Sequence, residues 1–259
     1  MIESYCNILE IKDLCVCAGT KEVLNHIDLV IPNGEVHALL GQNGSGKTSL
    51  MMTIMGFPEY EVTHGQILFK GRDITESDVC ERARLGIAIA QQRPPTIRGV
   101  TLRDILAYVL RNEDNPEKKI DELAQASRLE SFLDRDINHG LSGGEIKRAE
   151  LVQLLALSPI FSMMDEPDSG VDVEALSLMG ALITQLFSLD VNHPVRRRAG
   201  LIITHTGNIL NRFPIDKAHV MVHGRIGCSG NPSLLLGHIN AYGYDSCIRC
   251  MGSSEKPHV

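Results

Sequence analysis

Apolar and polar positions alternate along this chain in two rhythms. Val23-Leu24-Asn25-His26-Ile27-Asp28-Leu29-Val30-Ile31 follows a period of two, the mark of a strand with one buried face. Ile8 to Leu14 reads as an earlier strand. Pro32-Asn33-Gly34-Glu35 is a turn, and the apolar run Val36-His37-Ala38-Leu39-Leu40 is a short strand that feeds a glycine-rich loop. A helix is expected from near Lys47 through Met51, Met52, Ile54 and Met55, ended by Gly56-Phe57-Pro58. Gln66 to Gly71 reads as a strand and turn, and Leu85 to Ala90 as a buried strand. From Pro94 to about Asp136 the spacing turns helical, with Leu102, Ile105, Leu106, Val109 and Leu110 on one face. The polar segment Arg111 to Lys119 is expected to break it as an exposed loop. Then follow a helix over Glu145–Leu157, a strand at Ile160–Met164 and a helix over Val173–Leu189. Strands at Leu201–Thr204 and Ala218–Val222 and a closing helix at Leu234–Ala241 complete the chain.

Strands alternating with helices predict an α/β fold with a mostly parallel sheet covered on both faces. The helical stretch interrupts that alternation, so it is expected as an inserted subdomain, about 93–157, without a core of its own. The core then comprises about 1–92 and 158–259 of a single domain, a size that 259 residues readily supply.

Composition narrows the possibilities. A net charge of −7 and a pI near 5.8 argue against a broad nucleic-acid-binding face. The densest basic run, Arg196-Arg197-Arg198, reads as a solvated loop. No apolar stretch reaches the roughly 18–20 residues that span a bilayer, so no direct membrane insertion is expected. Met1-Ile2-Glu3-Ser4-Tyr5 lacks a basic region leading into an apolar core, and a cytoplasmic location is expected. Seven cysteines without an export signal make disulfides unexpected. Cys15 and Cys17 should share a strand face. Cys247-Ile248-Arg249-Cys250 has the spacing of metal ligands, but supplies one pair where a zinc or iron–sulfur site needs four ligands.

The chemistry is concentrated in a few segments. Gly41-Gln42-Asn43-Gly44-Ser45-Gly46-Lys47-Thr48 follows a strand and opens a helix, the context of a phosphate-binding loop. Its glycines let backbone N–H groups approach phosphate oxygens, and the helix N-terminus adds partial positive charge. Lys47 is placed to reach the β- and γ-phosphates, and Thr48 offers a hydroxyl to Mg²⁺. Asp165 ends a buried strand, where ligands bind in parallel sheets, and is expected to hold Mg²⁺. Glu166, expected on the opposite face, is the candidate for polarising the attacking water. Leu141-Ser142-Gly143-Gly144-Glu145 precedes a helix. In isolation it is equally a good N-cap and an anion-binding turn.

In this order, with a lone His205 after Leu201-Ile202-Ile203-Thr204, these segments resemble the ATP-binding-cassette (ABC) ATPases, a P-loop NTPase class with a RecA-like core. The resemblance implies ATP and Mg²⁺ as ligands, with Ser49 joining Gly41–Thr48 in ATP binding. It implies that the signature Leu141–Glu145 of one subunit covers the γ-phosphate held by another, so two chains pair head to tail. It further implies that Gln92, with Gln91 as rival, senses Mg²⁺, that Asp172 lies in the loop crossing the dimer interface, and that His205 contacts the γ-phosphate. Many of these ATPases stack adenine on an aromatic residue well before the phosphate loop. Here that stretch is Cys15-Val16-Cys17-Ala18, and Val16 is expected to offer an aliphatic contact without the stacking contribution.

Transporter cassettes usually end the signature with Gln and carry Thr-Ser-Ala-Leu-Asp after the Asp-Glu-Pro. This chain has Glu145-Ile146-Lys147-Arg148, and Asp165-Glu166-Pro167-Asp168-Ser169-Gly170-Val171-Asp172. With Gly34-Glu35-Val36-His37-Ala38, Gly99-Val100 and Ala241-Tyr242-Gly243-Tyr244, these details resemble the SufC type, and its archaeal-type members most, the ATPases of iron–sulfur cluster assembly. That resemblance implies a SufB- or SufD-like β-helical scaffold as partner, contacted through roughly Arg93 to Ala107. The alternative is the ATPase subunit of an ABC transporter, which shares every catalytic residue. A second alternative is a metal- or cluster-binding protein using Cys247 and Cys250.

Overall fold

A computed structural model describes residues 6–187, 198–205 and 207–244. β1 (Asn7–Ala18) and β2 (Lys21–Pro32) are joined by only Gly19 and Thr20. A link that short cannot make a crossover, so the two strands pair antiparallel. β3 (Val36–Leu40) then runs into the glycine loop, which opens α1 (Lys47–Met55). β4 (Tyr60–Phe69) and the two-residue β5 (Arg72–Asp73) return to β1, giving an antiparallel sheet in the order β2-β1-β4-β5.

α2 (Val79–Arg84) leads to β6 (Ile87–Ala90). The helical subdomain holds α3 (Leu102–Val109) and α4 (Pro116–Ser127). α5 (Gly143–Leu157) delivers the chain to β7 (Phe161–Asp165), and α6 (Val173–Leu186) precedes β8 (Ala199–Thr204). β9 (Lys217–Val222), β10 (Arg225–Gly230) and α7 (Pro232–Tyr242) complete the described chain. The second sheet runs β10-β9-β3-β8-β7-β6, parallel throughout except for β10.

The mostly parallel sheet expected from the alternation is present as the six-stranded sheet, and the early strands, which the alternation did not set apart, form a second, antiparallel sheet. β10 is a further departure. Its glycines at 227 and 230 weaken the period-two pattern, and its turn is made by His223 and Gly224 at φ 47° and 73°. The helical reading from Pro94 is also corrected, because regular helix starts only at Leu102. Thr101 and Asp104 form a reciprocal cap there. The expected loop 111–119 ends early for a comparable reason. Asn115 caps α4 and Pro116 occupies its first turn, where a missing N–H costs nothing.

Two large cores lie on opposite faces of the β3-β8-β7 strands. One, between the two sheets, packs Leu39, Met163 and Ile203 against α1 and the antiparallel strands. The other joins Leu102, Leu106 and Ile120 of the helical subdomain to α5 and α6. Among the described residues Arg82 is the largest fully buried side chain. Its guanidinium donates to the carbonyls of Thr53, Ile54, Thr75 and Ser77, two of which lie in the last turn of α1. Burial pushes its pKa down, and these acceptors make the buried cation tolerable.

Candidate active site

The glycine loop is fixed by close backbone packing. A Cβ on Gly41 would lie 2.5 Å from the carbonyl oxygen of Met221, so no other residue fits without moving β9. Gly46 caps α1 at φ 107°, in a region open mainly to glycine. The loop borders a cleft of about 760 Å³ that also includes Lys21, Glu22, Val23, Asn25, Ser49, Gln92, Glu166 and the β9–β10 turn. Lys47 is buried, and its Nζ donates to the carbonyls of Gly41 and Gln42 at 2.8 and 2.9 Å. Burial lowers its pKa, while Glu166 and Asp165 act in the opposite direction.

Asp165 sits at the end of β7 and accepts from the Thr48 hydroxyl at 2.9 Å. Burial raises its pKa, partly offset by that bond and by Lys147 and Lys47. A hydroxyl and a buried carboxylate facing each other suit a hard divalent cation that keeps water and phosphate oxygens as its other ligands. Among the described residues no group of three or more His, Cys, Asp or Glu could hold a metal ion on its own.

Strand alternation would turn Glu166 away from this cleft, as the sequence led us to expect. It does not, because Glu166 takes a left-handed φ of 47° and ends the strand. Its carboxylate lines the same cleft, where His205 Nδ1 lies 3.0 Å from one oxygen and Gln92 Nε2 donates to the other. Gln91 faces elsewhere, into an apolar groove of about 390 Å³ shared with Phe57, Val79, Pro94, Glu150 and Leu157. Its backbone N–H donates to Glu150, whose pKa is raised by burial.

Val16 does not reach the cleft. It is 0% exposed and packs in the core between the sheets, because β1 is irregular around Asp13 and Cys15. Cys15 is buried and Cys17 half-buried, so the expected shared face is disturbed by the same irregularity. None of the five described cysteines is in a disulfide, and Cys247 and Cys250 lie outside the described residues.

None of Leu141–Glu145 lines the cleft. Ser142 and Glu145 instead form a reciprocal cap on α5, with the Ser142 N–H donating to Glu145 at 2.6 Å. Asp172 caps α6 through the Ala175 N–H at 2.8 Å. Two residues that the sequence offered only as marks of resemblance make contacts near the site that it did not reveal. Lys147 is buried and donates to the carbonyls of Gln92 and Gln91 at 2.8 and 3.3 Å, with Asp165 O at 3.4 Å. Burial lowers its pKa, against Asp165, Glu150, Glu166 and Asp168. Asp168 is buried against the Thr204 hydroxyl, at 3.1 and 3.0 Å from its two oxygens. The only signal for Lys147 is a cation two residues past the signature on a helix that must bury one face.

Fold and cleft together define a P-loop ATPase of ATP-binding-cassette architecture. The family model described as ABC transporter matches residues 24–169. An ABC transporter ATP-binding protein, named as probable, from Streptococcus pyogenes serotype M18 is 37% identical over 96% of this chain and 98% of its own. Vegetative protein 296 of Bacillus subtilis is 39% identical, covering 96% of each chain. A probable ATP-dependent transporter of Synechocystis is 38% identical over 92% of this chain and 94% of its own. Among solved structures, an ATP-binding cassette of an ABC transporter superimposes with a TM-score of 0.73 at 24% identity, covering 94% and 98% of the two chains, and shows the fold. The chain belongs to the ABC ATP-binding proteins. It is an ATP-hydrolysing subunit of an ABC system that uses ATP and Mg²⁺. Among the described residues no helix is long and apolar enough to cross a membrane.

Proposed function

We propose that this ATPase works as a head-to-tail pair that drives a soluble SufB- or SufD-like scaffold, as SufC-type subunits do. The observation that carries the ATPase part is the carboxylate of Glu166 held between Gln92 and His205 at the floor of the phosphate cleft. Glu166 is the base that takes a proton from the attacking water. Gln92 and His205 orient it, and His205 also contacts the γ-phosphate. Lys47 and the loop N–H groups hold the β- and γ-phosphates. Thr48, Asp165 and Gln92 hold Mg²⁺, which supplies charge neutralisation on the phosphates. The signature of the partner copy, Leu141–Glu145, covers the γ-phosphate, and Asp172 lies at the interface.

The scaffold part is supported by the departures from the transporter pattern at Glu145 and Asp168, both of which have structural work here. Glu145 completes the α5 cap, and Asp168 joins the segments after β7 and β8. The groove beside Gln91, lined by Pro94, Pro95 and the half-exposed Leu157, is the proposed contact for the scaffold. A partner there presses on the residue before Gln92 and thereby biases the cleft. ATP binds the closed pair better than the open one and so shifts the population towards closure.

The second reading is the ATPase subunit of a transporter, and it is favoured by the names of the relatives from Streptococcus and Synechocystis. Affinity purification from the native host in mild detergent, with mass spectrometry of the co-purifying chains, separates the two. A soluble β-helical scaffold at matching stoichiometry supports the first. Multi-spanning membrane subunits overturn it in favour of the second.

A further inference from the structure

The segment Ala241-Tyr242-Gly243-Tyr244 lies outside the nucleotide cleft, yet it bears on it. Gly243 takes φ 74° and its N–H donates to Ile239 O at 2.8 Å, which stops α7 and turns the chain back. Tyr244 then donates its phenolic O–H to the backbone carbonyl of His205 at 3.2 Å. Two residues further along, Gly207 has φ 70°, and a Cβ there would lie 2.5 Å from Leu236 Cδ2. α7 therefore sits directly on the turn that follows His205. The opposite side of this turn is fixed by Asp168, which accepts from Thr204 and from the Ile209 N–H at 3.4 Å. The His205 ring meanwhile holds Glu166 through Nδ1.

We propose that Tyr244, backed by Leu236, is a positioning residue for ATP hydrolysis. It fixes the backbone of His205 so that Nδ1 stays on Glu166 and Nε2 is left for phosphate. The proposal rests on the reading of His205 given above. The anchoring matters because His205 lies just past the end of strand β8, and Gly207 takes a left-handed φ of 70° before a short 3-10 helix. Neither Tyr244 nor Leu236 lines the cleft, so their loss acts on turnover and spares nucleotide binding.

The test is steady-state ATP hydrolysis by the full chain, with ATP and protein both titrated to saturation, for five variants. These are His205→Ala, Tyr244→Phe, Leu236→Ala, Leu236→Met and the double variant of the first two. Loss of one hydrogen bond predicts that Tyr244→Phe lowers kcat about three- to ten-fold and leaves KM within about two-fold. Leu236→Ala should act in the same direction, and Leu236→Met should restore turnover by refilling the contact with Gly207. In the His205→Ala background, Tyr244→Phe should have no further effect. Tyr244→Phe and Leu236→Ala at wild-type kcat, or full additivity in the double variant, overturn the proposal while a collapsed His205→Ala leaves the role of His205 standing. Wild-type turnover in His205→Ala overturns both.

Discussion

Thr204 turns its hydroxyl onto both carboxylate oxygens of Asp168, at 3.1 and 3.0 Å, and so joins the loop after β7 to the loop after β8. The pair is buried, and the Ile209 N–H adds to it from the following turn. Asp168→Ala removes the acceptor of both donors. The cost should be about 2–3 kcal/mol in urea unfolding. Turnover should fall as well, since the loops carry Glu166 and His205, and Asp168→Asn should lose less than half as much. Unchanged stability in Asp168→Ala would remove the joint from the account.

Glu166→Gln keeps the side-chain shape and removes the base. Turnover should drop by roughly 10²–10⁴, with ATP affinity retained. Lys47→Ala should instead weaken nucleotide binding itself, because its charge is held at the floor of the cleft. Equilibrium binding of a fluorescent ATP analogue beside phosphate release separates the two, and undiminished turnover in Glu166→Gln assigns the base role elsewhere.

Arg82 offers a stability test away from the chemistry. Arg82→Met fills similar space and leaves four carbonyls without their donor. The loss should reach about 3–5 kcal/mol, the range for breaking a buried polar network from one side. A shift below about 1 kcal/mol would mean that water replaces the guanidinium at all four.

Acid stability should depend on two buried histidines. Ser229 donates to His219 Nδ1 at 2.7 Å, His219 Nε2 to His37 Nδ1 at 3.0 Å, and His37 Nε2 to Glu35 at 2.8 Å. In that direction each ring donates once and accepts once, so both are neutral. Burial, then His37 and Lys217, push His219 down to about 3 from 6.5. His37 is also lowered, chiefly by burial and against the pull of Glu35 and Asp216. The unfolded chain takes up a proton near pH 6.5 that folded His219 refuses. Stability is therefore fully present above that pH and is lost as pH falls towards 3. The loss between pH 7.5 and 5.5 should be about 1.4 kcal/mol for His219 alone. The loss of unfolding free energy from pH 7.5 to 5.5, read from urea titrations, should be smaller by that amount in His219→Gln than in wild type, and equal losses in the two would show that His219 protonates in place.

Some of this molecule is legible from its residues because local rules and fold agree. The strand Val36–Leu40, the loop Gly41–Thr48 and the helix from Lys47 are each dictated by side-chain type and spacing alone. Glu166 was misplaced because period-two alternation says nothing of the left-handed residue that ends β7. Val16 was sent to the nucleotide by the family resemblance alone, and a position carried over in that way cannot register the irregularity of β1 near Asp13. The choice between Gln91 and Gln92 needed the cleft and the groove, which are made by elements far apart in sequence. β10 was missed because two glycines dilute its pattern, and pairing with β9, a tertiary effect, decides its conformation.

The signature residues Leu141–Glu145 stand apart from the cleft that one chain forms. On the proposed pairing, no chain can finish its own reaction. Work done per molecule then depends on how many molecules there are, rising in proportion to their number when they are scarce and levelling off when they are plentiful. A scaffold that holds two copies side by side removes that dependence, and it becomes a switch for hydrolysis without touching a single reacting atom.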